Sequence, residues 1–312
     1  MLKLSESNII DKIRDGELFE CEIFDSSFTL KIESYTPVIC TAIHSGHTMR
    51  PKLAEHCALS DSERLYEEDP LTDQFIQAMP ITLIALDSRY EYDLNRPIAN
   101  CIYTTAWGKT VWEKKISTKE RNESISKHRA FYRVLDVLVT AIEEKFGAAL
   151  LFDIHSYNYL RRDIESPTFN IGTEQIDMER WGRMVDLSLS RLNKVELPNL
   201  PVVACENNVF FGRGYMIAHI NSRFENSLVL PLEIKKIFMD EIKGEPYPLV
   251  MQTLNQQFKD CLVDISAFFS RRFTSKRKTK KSDMLTERMD PAILKVDRLL
   301  YQFSKGLETL HY

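Results

Sequence analysis

Short apolar runs alternate along the chain with longer amphipathic segments. The apolar runs predict buried β-strands at 37–43, 81–86, 148–154, 200–205 and 228–234. A region of alternating apolar and polar residues at 19–32 predicts a β-hairpin. Apolar residues at helical spacing predict helices at 1–15, 60–79, 119–146, 177–192 and 248–270. This alternation predicts the α/β class, with a mixed β-sheet flanked by helices on both faces.

Two segments between these elements have features of their own. Pro70 interrupts the predicted helix at 60–79, because proline cannot continue a helix without losing a hydrogen bond. A helix that restarts at Pro70 would place Glu68 or Asp69 at its N-terminus. The polar, aromatic-containing loop at 98–113 is interpreted as a lid.

The chain is predicted to divide at residue 247, into an α/β domain of residues 1–247 and a C-terminal helical extension of residues 248–312. Within the extension, the run from Arg271 to Lys281 has seven basic residues and no acid. It is interpreted as a solvated linker, with contact to an acidic partner or nucleic acid as the alternative. Asp290 and Pro291 predict the start of a final helix.

Composition excludes some classes of partner and location. The 312 residues are 44% hydrophobic, which is ample for a large core. A formal net charge of −4 does not favour nucleic acid as a partner. The six cysteines form no C-x-x-C pair and are expected to be reduced thiols. The sequence shows neither a signal-peptide core nor an apolar run long enough for a membrane, so we expect a cytoplasmic protein without membrane contact.

Polar residues follow three of the predicted strands. His44 and His155 each come at the end of a buried run, where α/β sheets gather their ligands. Histidine is the commonest side-chain ligand of zinc. Arg89 and Arg96 follow the strand at 81–86, and arginine presents a planar fork of donors that suits carboxylates and oxyanions. The sequence therefore favours a site that binds an anion near a metal.

An ordered set of motifs resembles the N-formylglutamate amidohydrolase family. The motifs are His44-Ser45-Gly46, Glu68-Asp69-Pro70-Leu71-Thr72-Asp73, Ser88-Arg89-Tyr90, Asp93-Leu94-Asn95-Arg96, Asp153-Ile154-His155-Ser156 and Asn170-Ile171-Gly172-Thr173. The resemblance covers roughly residues 35–242. The family is similar to zinc carboxypeptidases and aspartoacylases, so the resemblance implies a zinc-carboxypeptidase-like (phosphorylase/hydrolase-like) fold for the α/β domain.

A zinc hydrolase needs three protein ligands and an open position for water. His44 and His155 are the first two predicted ligands. The resemblance points to Asp69 as the third, although related carboxypeptidases use a glutamate, which keeps Glu68 open. The spacing of His47 from His44 matches the first two ligand positions of carboxypeptidases, so His47 is a further alternative, with a structural role preferred.

The resemblance also implies roles for four other residues. Glu233 lies in a segment similar to the one that carries the family's catalytic glutamate, and it is predicted to be the general base. Arg89 is predicted to stabilise the oxyanion of the reaction. Asn95 and Arg96 are predicted to hold the α-carboxylate of the substrate.

The implied activity is zinc-dependent hydrolysis of the amide bond of an N-acyl amino acid, similar to N-formylglutamate, with a free carboxylate. The partner is then a small N-acyl amino acid or a peptide tail. A zinc carboxypeptidase acting on peptide C-termini is one alternative. A non-catalytic binding or regulatory protein on the same fold is the other.

Overall fold

The computed structural model describes residues 1–162 and 165–275 of the chain. The helices in these ranges are α1 Glu6–Arg14, α2 Pro51–Ala54, α3 Asp61–Glu67, α4 Thr118–Phe146, α5 Met178–Leu192, α6 Tyr215–Asn221 and α7 Pro248–Phe273. The strands are β1 Leu2–Leu4, β2 Phe19–Ile23, β3 Phe28–Ile32, β4 Val38–Ala42, β5 Ile81–Ala85, β6 Thr105–Ala106, β7 Lys109–Thr110, β8 Ala149–Tyr157, β9 Phe169–Ile171, β10 Ala204–Glu206, β11 Ser227–Lys235, β12 Met239–Asp240 and β13 Glu245–Pro246.

Nine strands form one mixed sheet in the order β1-β2-β3-β5-β4-β8-β11-β9-β10. The central strands β5, β4, β8 and β11 are parallel to one another. The outer neighbours β3 and β9 run antiparallel to β5 and β11. Helices flank this sheet, so the predicted α/β class with a mixed sheet is confirmed. The carboxyl ends of the four central strands lie at one edge of the sheet, where α/β proteins bind their ligands.

The centre of the sheet is buried on both faces. Every residue of β4 and of β8 is buried, as expected of parallel strands that have neighbours on both sides. Polar residues also lie in these strands, and two of them pair with each other: Oγ1 of Thr41 donates a hydrogen bond of 2.8 Å to Oδ1 of Asp153. Strands β8 and β11 pair over nine positions, and this register sets Glu233 opposite His155.

The longest helix has clear sequence signals at both ends. At the start of α4, the hydroxyl of Ser117 accepts from the backbone N–H of Glu120, whose side chain accepts from the backbone of Ser117. This reciprocal pair forms a capping box. At the other end Gly147 adopts the left-handed conformation, with φ of 84°, which ends the helix without a steric penalty.

The region after α3 differs from the sequence-based expectation. The helix ends at Glu67, and residues 70–79 form turns rather than a second helix. Glu68 is extended with ψ of 172°, and Leu71 has a φ of 69°, a left-handed conformation that no regular helix tolerates. Asp69 therefore lies in an extended connection and not at a helix N-terminus.

Helix α7 packs against α5 and the sheet. Phe258 of α7 stacks on Phe169 of β9 with 5.9 Å between ring centroids, and Phe269 stacks on Trp181 of α5 at 6.0 Å. The division of the chain at residue 247 stays a prediction. Most of the predicted basic linker and the whole predicted final helix fall on residues 276–312, outside the described residues.

No helix of the described ranges is both long enough and apolar enough to cross a membrane.

Candidate active site

The carboxyl ends of the four central strands open into one cavity of about 620 Å³. His44 follows β4, Arg89 follows β5, and His155 and Glu233 lie near the ends of β8 and β11. The cavity is lined by most of the residues that the sequence singles out, namely His44, Asp69, Arg89, Asn95, Arg96, His155 and Glu233. The alternative ligands Glu68 and His47 do not line it.

Two imidazoles and one carboxylate meet in this cavity. Nδ1 of His44 lies 3.3 Å from Oδ2 of Asp69, and Nδ1 of His155 lies 3.0 Å from the same oxygen. All three side chains are buried, and their potential ligand atoms lie within 4.8 Å of one another. Burial alone would raise the pKa of Asp69, but the hydrogen bonds with His155 and His44 outweigh it and hold that pKa below its usual range.

A second carboxylate faces the other nitrogen of each imidazole. Nε2 of His44 lies 2.8 Å from Oδ1 of Asp93, and Nε2 of His155 lies 2.9 Å from Oδ2 of Asp153. A carboxylate fixes a proton on the nitrogen that it faces. With its proton on Nε2, each ring would present Nδ1 to a cation together with Oδ2 of Asp69. Without a cation, a proton on Nδ1 would donate to that oxygen, in agreement with the lowered pKa of Asp69.

The neighbouring acid, Glu68, has other partners. Its carboxylate is fully buried and accepts hydrogen bonds from Ser88, while Nδ1 of His47 lies 2.5 Å from its Oε2. Its extended backbone directs the side chain away from His44 and His155. The sequence leaves Glu68 and Asp69 as alternative ligands, and the structure separates them. Asp69 lies with His44 and His155, whereas Glu68 pairs with His47 outside that group.

Arg89 is held at the edge of the cavity by three contacts. Its guanidinium donates to Oδ2 of Asp93 at 2.9 Å and to the carbonyl of Glu67 at 3.1 Å. The guanidinium also faces the ring of Trp107, 4.9 Å from its centroid. Its buried Nε has no hydrogen-bond partner among the described residues. Arg89 therefore keeps donor capacity within a fixed orientation.

Asn95 and Arg96 occupy a different part of the cavity wall. The carboxamide of Asn95 lies beside Gly214, and its Oδ1 accepts from the backbone N–H of Met216 at 3.5 Å. Arg96 is exposed, and its guanidinium has no ion-pair partner within the described ranges. Its carbonyl is held by Nε2 of His128 at 2.9 Å. Of Arg89 and Arg96, Arg96 is thus the one whose charge has no acidic partner among the described residues.

Glu233 faces the cavity, and its carboxylate has no hydrogen-bond partner in the described part of the chain. Burial raises the pKa of Glu233 to about 8; the charge of His155 opposes this effect, and the charges of Asp69 and Asp153 add to it. A cation bound at the neighbouring cluster would favour the ionised carboxylate. An unpaired carboxylate in a cavity wall is suited to exchange protons with a ligand.

Sequence analysis misses several residues of this site. Asp93 and Asp153 face the two imidazoles, yet in the sequence their motifs point only to Asn95, Arg96 and His155 as site residues. Lys236 is 1% exposed and donates to the carbonyls of Tyr66 and Glu68, which fixes the segment that carries Asp69. Burial lowers the pKa of this lysine to about 8. In the sequence it looks like an ordinary surface charge.

Comparison with known proteins identifies the family of this chain. The sequence profile of the N-formylglutamate amidohydrolase family matches residues 36–239, which is well over half of the chain. No match was found among curated proteins.

Three solved structures are similar to this chain. N-formylglutamate amidohydrolase from Ralstonia eutropha JMP134 has a TM-score of 0.67 and 22% identity, and the similarity covers 78% of this chain and 98% of that chain. The gene product Atu2144 from Agrobacterium tumefaciens has a TM-score of 0.55 and 15% identity, with 77% and 96% covered. A metallo-carboxypeptidase from Burkholderia cenocepacia has a TM-score of 0.37 and 14% identity, with 78% and 61% covered. On the profile match, this chain belongs to the N-formylglutamate amidohydrolase family of hydrolases.

Proposed function

We propose that this protein is a zinc-dependent amidohydrolase that cleaves the amide bond of an N-acyl amino acid with a free carboxylate, as in N-formylglutamate. One observation carries the proposal. Three acceptors, from His44, Asp69 and His155, converge beside the unpaired carboxylate of Glu233 in one cavity.

The cluster suits zinc in particular. Two imidazoles and one carboxylate are a ligand set of catalytic zinc sites that leave a position open. In this proposal Nδ1 of His44, Nδ1 of His155 and Oδ2 of Asp69 hold the ion, and Glu68 is not a ligand because it pairs with His47 and Ser88. Bound zinc would supply a Lewis acid and lower the pKa of water.

Glu233 is the proposed general base and acid. In the hydrolysis a water oxygen bonds to the carbonyl carbon, the carbon–nitrogen bond breaks, and one water proton ends on the leaving nitrogen. Glu233 takes that proton and returns it to the nitrogen. The products are the carboxylate of the acyl group and an amino acid with a free amine, and the second proton of the water is released to solvent or taken up by the amine.

Arg89 is the proposed donor to the oxyanion that develops on the carbonyl. Its position is fixed by Asp93 and by the carbonyl of Glu67, so it needs no reorganisation during the reaction. Donors of this kind contribute about 3 kcal/mol to transition-state stabilisation.

Arg96 and Asn95 are the proposed binding site for the α-carboxylate. The guanidinium of Arg96 has no acidic partner among the described residues, and the carboxamide of Asn95 lies at the same wall. When Arg96 and Asn95 bind the carboxylate, which is remote from the reacting bond, they orient the substrate. This orientation determines which amide bond lies next to the attacking water and Glu233.

The test combines metal analysis with a screen for released amine over N-acyl amino acids and peptides. We expect one zinc per chain and release of amine from N-acyl amino acids. The Glu233→Gln variant should keep its zinc and lose activity by at least a thousandfold. Full activity of that variant would exclude Glu233 as the base. Cleavage of peptide C-termini alone would instead favour the carboxypeptidase alternative.

We also propose a cytoplasmic location. All six cysteines are free thiols, and four of them are buried. Proteins of oxidising compartments more often pair such residues in disulfides.

A further inference from the structure

A second cavity of about 430 Å³ adjoins the first. The two cavities share Glu67, Ala106, Trp107 and Arg161 in their walls. Cavities of about 300–1,000 Å³ hold ligands of the size of drug molecules. The first cavity alone already falls in this range, so the second is additional space that an N-formyl amino acid does not need.

The charged groups of the second cavity are paired with one another. Nζ of Lys109 lies 2.8 Å from a carboxylate oxygen of Glu63, and the guanidinium of Arg161 makes two hydrogen bonds, of 2.5 and 3.0 Å, with Glu67. The rest of the wall is largely aromatic or aliphatic, with Leu59, Tyr66, Tyr90, Trp107 and Ile242. A wall of this kind favours an uncharged, apolar occupant, because a charged one would lose its hydration without gaining a free counter-charge.

Trp107 stands at the boundary of the two cavities. It forms, with Gly108, the turn of the β6–β7 hairpin, where both residues have positive φ, of 47° and 77°. Its ring faces the guanidinium of Arg89, and it lies 5.9 Å from the rings of both Tyr90 and Tyr103. Trp107 as a whole is nevertheless 44% exposed, so part of its surface is accessible to a ligand.

This boundary lies on the acyl side of the proposed reaction. Arg89 would contact the reacting carbonyl, whereas Asn95 and Arg96 hold the carboxylate at another part of the wall. A group attached to the carbonyl that Arg89 contacts would lie near Trp107, because the Trp107 ring centroid is 4.9 Å from the guanidinium of Arg89. Beyond Trp107 lies the second cavity.

We propose that the second cavity is an acyl-binding site and that the preferred substrate has an apolar acyl group larger than formyl, such as an arylacetyl group. This inference rests on the proposed amide hydrolysis. A formyl group has only hydrogen beyond its carbonyl and leaves the second cavity without an occupant. A planar apolar group fills it and packs on the indole.

The first experiment compares acyl groups on one amino acid. kcat/KM is measured for the N-formyl, N-acetyl, N-succinyl and N-phenylacetyl derivatives with the zinc-loaded protein. We expect the phenylacetyl derivative to exceed the formyl derivative, and also the charged succinyl derivative, by at least tenfold. Equal or higher values for the formyl or succinyl derivative overturn the inference.

Matched serine substitutions test the location. Ser62, at the second position of α3, lines the second cavity, and its Oγ lies 3.1 Å from that of the N-cap residue Ser60. Ser7 has the same position in α1, 3.0 Å from the N-cap residue Ser5 and outside both cavities. Ser62→Trp should lower the ratio of phenylacetyl to formyl kcat/KM by at least tenfold, and Ser7→Trp should not change it. Equal ratios in the two variants overturn the location.

Binding separates this inference from the proposed function. Calorimetric titration of the Glu233→Gln variant with the N-phenylacetyl and N-formyl derivatives measures affinity without turnover. Tighter binding of the phenylacetyl compound by tenfold or more, lost on adding Ser62→Trp, supports the acyl site even if no derivative is hydrolysed and the proposed function fails. Equal affinities overturn the acyl site even if hydrolysis is observed.

Discussion

Gly214 leaves the space that the side chain of Asn95 occupies. A Cβ atom at residue 214 would lie 2.3 Å from Oδ1 and 2.8 Å from Nδ2 of Asn95. The backbone of Gly214 has a φ of −67°, which any residue can adopt, so the glycine is required for its size and not for its conformation. The carboxamide of Asn95, which is proposed to bind the carboxylate, can therefore take this position only because residue 214 has no side chain.

Gly214→Ala should displace Asn95 and raise KM for N-acyl amino acids by about tenfold, the effect of losing one hydrogen bond to a charged group. Gly182→Ala in α5 is the matched control, because a Cβ there meets only Met178 at 3.9 Å. Steady-state kinetics of both variants make the comparison. An unchanged KM in Gly214→Ala would show that Asn95 does not bind substrate.

His155→Ala should release the metal, because it removes one of three proposed ligands. His47→Ala should keep it, since His47 pairs with Glu68 and lies outside the cluster. Metal content after dialysis, measured by plasma mass spectrometry, distinguishes the two. Full zinc content in His155→Ala would contradict the ligand assignment.

Asp153→Asn should weaken zinc binding by about 10–100-fold, which is the usual cost of removing a carboxylate that orients a ligand. The substitution keeps the shape of the side chain but removes the charge that faces Nε2 of His155. Competition with a chelator of known affinity measures the change. An affinity equal to that of the unmodified protein would mean that Asp153 does not orient His155.

Arg96→Ala should lower kcat/KM by about 10–100-fold, equivalent to a charge-assisted hydrogen bond of about 1.5–3 kcal/mol, while zinc stays bound. The unmodified protein should discriminate strongly against a substrate whose carboxylate is amidated, and the variant should discriminate little. Kinetics with the acid and the amide on both proteins give this comparison. Equal discrimination by the two proteins would exclude Arg96 as the carboxylate-binding group.

Asp87 should make stability depend on pH. Burial and the charge of Glu91 raise its pKa to about 6, against the attraction of Lys127. The native carboxyl thus holds its proton more tightly than an unfolded aspartate, whose pKa is about 3.9, so the free energy of unfolding falls as pH rises between these values. Between pH 3.5 and 7, roughly, the unmodified protein should lose up to about 3 kcal/mol relative to Asp87→Asn. The free energy of unfolding of both proteins is measured by urea unfolding across this pH range. If the two plots of this free energy against pH are parallel, the prediction is contradicted.

The four central strands and the two histidines could be predicted from the sequence, because each histidine follows an apolar run and a buried apolar run is typical of a central strand. The strand predicted at 200–205 differs, because only Ala204 and Cys205 of that run lie in β10. The choice between Glu68 and Asp69 could not be predicted. Their side chains point in different directions only because the backbone becomes extended after α3, and Leu71 adopts a left-handed conformation.

The partners of the site residues were also beyond prediction. Asp93 and Asp153 are adjacent to predicted residues, but a sequence does not tell whether a carboxylate faces an imidazole or water. The second cavity depends on the hairpin at 105–110 folding against α3, as in the contact between Glu63 and Lys109, which are 46 residues apart in the sequence. No periodic pattern encodes such a contact. The polar loop at 98–113 contains this hairpin.

Strands β8 and β11 pair over nine positions, so the number of residues in each strand determines that Glu233 lies opposite His155. Deletion of a single residue of β11 before Glu233 would leave a strand that can still pair, but it would turn the carboxylate to the opposite face of the sheet. The hairpin that carries Trp107 has no such constraint. If the second cavity binds the acyl group, insertions in this hairpin would change which acyl groups fit while leaving the pairing that sets His155 opposite Glu233 unchanged.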